Sequence, residues 1–112
     1  MNKVVITIAL LLLAGLPAGA QTKVSKVFAV VVGHTVKIGW VASPSPGIDH
    51  YNVYSSATSG SGYVKIGQSA GLTYQDLTAT SGNTYFYVVT AVNAAGEESP
   101  NSNEVKVTIP TP

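Results

Sequence analysis

Asn83-Thr84-Tyr85-Phe86-Tyr87-Val88-Val89-Thr90-Ala91-Val92-Asn93 is the stretch whose reading decides the fold. It is rich in β-branched and aromatic side chains and holds no charge, no Gly and no Pro. Such residues fit a pleated surface and lose rotamer freedom in a helix, so the stretch reads as a strand. Period two divides it into two faces. Tyr85, Tyr87, Val89 and Ala91 form the inward set. Thr84, Phe86, Val88, Thr90 and Val92 form the outward set.

Working outward, the neighbouring segments read as further short strands between turns. Val24 to Val32 is almost wholly apolar and gives a first strand. Gly33-His34 ends it. Thr35 to Trp40 alternates, with Val36, Ile38 and Trp40 inward. Ser43-Pro44-Ser45-Pro46-Gly47 is a turn cluster through which no central strand can run. Ile48 to Ser55 follows, with Tyr51 and Val53 inward and Tyr54 outward. Tyr63 to Gln68 and Leu72 to Leu77 are two more strands. Ala94 to Glu98 is a loop. Asn103 to Ile109 closes the set, with Val105, Val107 and Ile109 inward. No stretch beyond the first twenty residues carries a helical period. The expectation is an all-β sandwich of seven short strands.

The first twenty residues read as a cleavable signal peptide, residues 1–20. Lys3 supplies the positive start, Val4 to Leu16 is an apolar run interrupted by Thr7, and Ala18-Gly19-Ala20 supplies the small residues before cleavage. As a helix that run rises only about 20 Å, short of the roughly 30 Å hydrocarbon core, which argues against a membrane anchor. The domain then spans 21–112, and the expected location is secreted, extracellular or periplasmic. The part after Ala20 has five Lys (23, 26, 37, 65 and 106) and five acids, Asp49, Asp76, Glu97, Glu98 and Glu104. Its formal charge is zero, and the chain has no Arg and no Cys. A neutral, Arg-free surface argues against nucleic acid and anionic membranes, which need clustered cations. Without a disulfide the domain depends on its core.

The chain resembles a fibronectin type III domain of the bacterial secreted kind, over roughly His34 to Pro110. The resemblance is carried by Val36-Lys37-Ile38-Gly39-Trp40, by Gly47-Ile48-Asp49-His50-Tyr51-Asn52-Val53-Tyr54, and by Thr73-Tyr74-Gln75-Asp76. The run from Gly82 to Asn93 carries it further, with Gly96-Glu97-Glu98-Ser99 and Ser102-Asn103-Glu104-Val105. It implies a seven-stranded antiparallel β-sandwich of the immunoglobulin-like kind, with two sheets, A-B-E and C-C′-F-G, and Trp40 in the core beside the inward Tyr51. It also implies that Tyr85 is the tyrosine-corner residue, its hydroxyl bonding to backbone upstream. The family usually begins with a proline-bearing strand, and Lys23-Val24-Ser25-Lys26-Val27 departs from that.

Catalytic chemistry has little to stand on. His50 and Asp49 are adjacent, so in one regular strand they point to opposite faces and cannot form a base–orienter pair. His34 sits at a turn. Two histidines without Cys make a poor zinc set, and no Asp-rich loop offers calcium ligands. Glu97-Glu98 read as solvated loop acids rather than a glycosidase pair. Asp76 reads as a structural carboxylate that accepts backbone donors. No enzyme activity, cofactor or metal is expected.

The expected function is a non-enzymatic module for protein binding, adhesion or surface contact. The alternatives are a structural subunit of an extracellular or surface assembly, or an accessory carbohydrate-binding domain. The partner is then a protein or a surface glycan, with self-association as one route. The candidate partner face is Tyr54, Phe86 and Val88, an apolar patch rimmed by polar residues. The candidate binding loops are Ser45-Pro46-Gly47 and Gly96-Glu97-Glu98.

Overall fold

Two sheets build the fold, and the strand pairs in both are antiparallel throughout. The computed structural model describes residues 21–111, so the leader expected over 1–20 lies outside the described residues. Seven strands follow one another: β1 (Val27–Val32), β2 (Thr35–Trp40), β3 (Ile48–Ser56), β4 (Val64–Ser69), β5 (Thr73–Asp76), β6 (Thr84–Asn93) and β7 (Val105–Thr108). One sheet has the order β1-β2-β5 and the other the order β4-β3-β6-β7. These are the two sheets that the resemblance implies.

Turn chemistry sets the first hairpin. Val32 pairs with Thr35, leaving Gly33 and His34 as the two turn residues. Gly33 takes φ +61° and His34 stays at negative φ. Glycine at the first central position is the type II′ turn, whose twist matches that of the strands it joins.

The core forms where the inward sets meet. Val36, Ile38 and Trp40 of β2, Tyr51 and Val53 of β3, and Tyr87, Val89 and Ala91 of β6 are all buried. Val24, Val107 and Ile109 complete the layer. Trp40 packs on Tyr51 with ring centroids 5.6 Å apart and planes inclined by 55°. Such tilted pairs add to the area they bury. The Ser43 amide donates to the Tyr51 hydroxyl at 3.1 Å.

Tyr85 is half-buried at the margin of this core, and its hydroxyl accepts from the Thr80 amide at 3.0 Å. The expected tyrosine corner is therefore present. The phenol at the centre is instead Tyr87, which donates to Asp76 Oδ2 at 2.7 Å. Asp76 also accepts from the Thr78 amide at 2.9 Å and the Thr78 hydroxyl at 2.6 Å. The structural reading of Asp76 holds, and Tyr87 extends it across the sandwich from β6 to the end of β5.

Several boundaries and exposures differ from the sequence reading. β1 begins at Val27, because Val24 and Ser25 precede the first pairing with β2 although Val24 is buried. β5 stops at Asp76 and leaves Leu77 exposed. Tyr74 does not stay within its own layer. Its ring occupies the space beside Gly67 of β4 where a side chain would stand, and its hydroxyl donates to the Ile66 carbonyl at 2.9 Å. That contact closes the β4–β5 flank of the sandwich.

Candidate contact surface

The patch expected at Tyr54, Phe86 and Val88 is not an open apolar face. The register sets Tyr54 opposite Val88 and Asn52 opposite Thr90 on neighbouring strands. Tyr54 and Phe86 are only half-buried, but Val88 is 2% exposed, and Thr90 and Val92 are buried beside it. Val88 therefore offers almost no surface to a partner. The physical reason is the connection between β6 and β7. It runs back along β6 rather than out into solvent, with the Ser99 amide on the Ala91 carbonyl at 2.8 Å and the Ser102 amide on the Val89 carbonyl at 3.0 Å. The hydroxyls of Ser99 and Ser102 then accept from the Ala91 and Val89 amides, each at 2.9 Å.

That path folds Glu98 onto the sheet, where its Oε2 becomes a hub. It accepts from Asn52 Nδ2 at 3.2 Å, from Thr90 Oγ1 at 2.5 Å and from the Tyr54 hydroxyl. Burial pushes the Glu98 carboxyl up, but the donors Thr90, Tyr54 and Asn52, with the charge of Lys65, outweigh it and hold the group below the usual carboxylate range. The Tyr54 hydroxyl is held above its ordinary value, by burial first and by Glu98 second. Glu98 was expected as a solvated loop acid; it is instead the fastener between the loop and β3. Glu104 does the same on the flank. It accepts from Ser59 Oγ at 2.6 Å, the Gly60 amide at 2.7 Å and the Tyr63 hydroxyl. Hydrogen bonds from Ser59, Tyr63 and Gly60 lower its carboxyl.

The two candidate loops are also partly spoken for. Ser45 is buried, and its Oγ accepts from the Thr22 amide at 2.7 Å while Ser43 Oγ donates to the Thr22 carbonyl at 2.6 Å. These serines tie down the segment before β1, so of Ser45, Pro46 and Gly47 only the last two are exposed. In the other loop Gly96 is exposed, at φ +85°. Asn93 organises the turn by accepting from the Ala95 and Glu97 amides at 3.0 and 2.9 Å and donating to Glu97 at 2.8 Å.

One correction concerns the histidines. His50 Nδ1 and Asp49 Oδ2 are 2.9 Å apart, although they are sequence neighbours in β3. The β3–β6 register shifts between Ile48 and His50. A bulge there breaks the strict alternation that would have separated them. The pair is at the surface, and no serine joins it among the contacts of the described residues. His34 Nε2 lies 2.8 Å from Ser81 Oγ, far from that pair in the chain. Among the described residues no three His, Cys, Asp or Glu side chains gather as a metal set.

A row of exposed apolar side chains along one strand lies on the other sheet. Phe28, Val30 and Val32 of β1 are 50%, 57% and 53% exposed and share one face. The Phe28 ring lies over Gly39, its Cε1 standing 2.5 Å from where a Cβ would be. A shallow groove of about 460 Å³ runs over this face, lined by the three β1 residues with Lys37, Thr73 and Gln75. The sequence reading missed it. The signal available was an uninterrupted apolar strand, which gives no alternation from which to read an outer face.

Two antiparallel sheets packed face to face, with a tyrosine corner and no disulfide, define an immunoglobulin-like sandwich. Comparison with solved structures narrows this. A Fn3-like protein from Clostridium thermocellum is 33% identical, with a TM-score of 0.72 over 83% of this chain and 97% of that one. The chain belongs to the fibronectin type III family. No family model matches the sequence. Among curated proteins it is similar to the amylopullulanase of Thermoanaerobacter thermohydrosulfuricus, 46% identical over 57 residues, which is 50% of this chain and 4% of that protein. It is also similar to the amylopullulanase of Thermoanaerobacterium saccharolyticum, 37% identical over 79 residues, covering 70% of this chain and 6% of that protein. The chain thus matches only a small segment of each enzyme.

Proposed function

We propose that this chain is an exported, non-catalytic accessory module that acts by contact with a glycoside hydrolase or its neighbours. The observation that carries the reading is the fate of the carboxylates. Asp49 is paired with His50, Asp76 with Tyr87 and Thr78, Glu97 with Asn93, Glu98 with the β3–β6 face, and Glu104 with the loop before β4. Each acid is paired within the chain, and none stands with a second acid across a cleft as glycoside hydrolysis needs. The likeness to small segments of two amylopullulanases supports an accessory role beside such an enzyme, and with it a secreted location. The test is affinity capture from exported proteins with the chain as bait. A glycoside hydrolase retained on the bait is the expected result. Its absence, with the bait folded, overturns the reading.

A second reading, glycan contact, is favoured by one observation. The Phe28 ring lies over Gly39 and remains half exposed beside Lys37, Thr73 and Gln75. Such a ring can stack on a sugar face while its polar neighbours hydrogen-bond hydroxyls. Retardation of the chain in a pullulan-containing gel, abolished by Phe28→Ala, supports it; equal mobility with and without pullulan removes it.

A further inference from the structure

The outer edge of β1 has a symmetry that its sequence alone does not display. β1 ends its sheet, with β2 on one side only. At Val27 the backbone faces away from β2. Its amide donates to Asn103 Oδ1 at 2.8 Å, and its carbonyl accepts from Asn103 Nδ2 at 3.1 Å. The opposite residue, Trp40, sends its own amide the other way, to the Leu72 carbonyl at 3.1 Å. In an antiparallel ladder this orientation alternates. Ala29 and Val31 therefore also direct their N–H and C=O groups out of the sheet edge. Among the described residues no strand pairs with them.

We propose that β1 pairs with β1 of a second copy of this chain, antiparallel, about a two-fold axis at Val30. The free backbone groups fix the register. Ala29 and Val31 are the outward-directed residues beyond the Asn103 cap, and they lie equally far on either side of Val30. Setting Ala29 against Val31 of the second copy, and the reverse, closes four hydrogen bonds. The exposed side chains obey the same symmetry. Phe28 falls opposite Val32 of the second copy, Val30 opposite Val30, and Val32 opposite Phe28. All lie on the face where they are half exposed. Aromatic and β-branched cross-strand pairs of this kind stabilise a sheet. The two three-stranded sheets become one of six strands.

Nothing on the strand opposes the pairing. β1 has no charge, no Pro and no bulge, which are the devices that keep edge strands apart. The charge on the facing surface, Lys37, sits on β2. Two such lysines would be three strand spacings apart, about 14 Å, beyond the ~8 Å screening length of physiological salt. The contact removes on the order of a few hundred Å² per copy, below the ~800 Å² per partner of a standard interface, so the dimer is concentration-dependent.

The test uses the exported chain in sedimentation velocity from micromolar to millimolar concentration. The parent should pass from monomer to dimer over that range. Val30→Lys places two like charges against each other at the axis and should stay monomeric. An equimolar mixture of Val30→Lys and Val30→Glu should dimerise again. The chain has no cysteine of its own. Val30→Cys should therefore oxidise to a covalent dimer much faster than Val64→Cys, which is 66% exposed on β4. A parent that is monomeric throughout, or equal cross-linking by the two cysteine variants, overturns the pairing and leaves the accessory reading untouched.

Discussion

Tyr87→Phe tests the account of how the two sheets are joined. The variant keeps the ring and removes one hydroxyl, so it creates no cavity. The hydroxyl lost is buried and donates to Asp76 Oδ2 at 2.7 Å. Burial, then Asp76, push the Tyr87 hydroxyl far above its ordinary value, so it remains a donor at any working pH. A hydrogen bond to a charged acceptor contributes roughly 1.5–3 kcal/mol. Asp76 retains both Thr78 donors in the variant, so the lower part of that range applies, about 2 kcal/mol. For a domain of this size the melting temperature should fall by about 8–16 °C. The pH dependence carries a sign. Burial works to raise the Asp76 carboxyl, but the Thr78 and Tyr87 hydroxyls and the Thr78 amide together hold it below its ordinary value. Its contribution is therefore full above the unfolded value of ~3.9 and is lost as pH falls through the lower folded value. Removing the Tyr87 donor moves the folded value back toward the unfolded one. The stability gap between parent and variant should be widest at neutral pH and should narrow below pH ~4. Urea unfolding followed by the fluorescence of the single tryptophan, Trp40, reads both effects. An unmoved midpoint at neutral pH, or the same gap at neutral and acid pH, would refute the reasoning.

Trp40→Ala should cost about 3–5 kcal/mol in urea unfolding followed by circular dichroism, because a buried indole packed on Tyr51 is lost. Tyr85→Phe should cost less, about 1 kcal/mol by the same assay, since its hydroxyl bonds only to Thr80 and the ring is half-buried. Glu98→Gln should destabilise the neutral protein by about 1–2 kcal/mol and speed amide exchange at Ser99. A side-chain titration followed by NMR should find the Glu98 carboxylate ionised below the ordinary glutamate value. Intact mass of exported protein should correspond to a chain beginning at Gln21, and a retained leader would contradict the cleavage site.

Period two was enough to place Val36, Ile38 and Trp40 inward, and likewise Tyr87, Val89 and Ala91, because a sheet face against a core must alternate. The same rule misjudged the other side of β6. Val88, Thr90 and Val92 are buried, and Glu98 and the serines of the β6–β7 connection bond to β6 beside them through a path that no local pattern encodes. The His50–Asp49 contact was missed for a related reason. A one-residue bulge resets the alternation, and bulges are set by the partner strand. Ser45 looked like an open turn residue, yet Thr22, 23 residues earlier in the chain, claims its hydroxyl. The β1 surface stayed hidden because six consecutive apolar residues give no phase, so the sheet order had to be known before Phe28, Val30 and Val32 could be assigned outward.

The central claim is that this fibronectin type III sandwich assists a glycoside hydrolase without carrying out hydrolysis itself. Reducing-end release from pullulan and amylose tests it most directly, measured for the purified chain alone and for the chain added to the hydrolase it captures. The account predicts no release by the chain alone and a changed rate or substrate retention when the two are combined. Release by the chain alone that vanishes on mutating its carboxylates, in protein that remains folded, would contradict it.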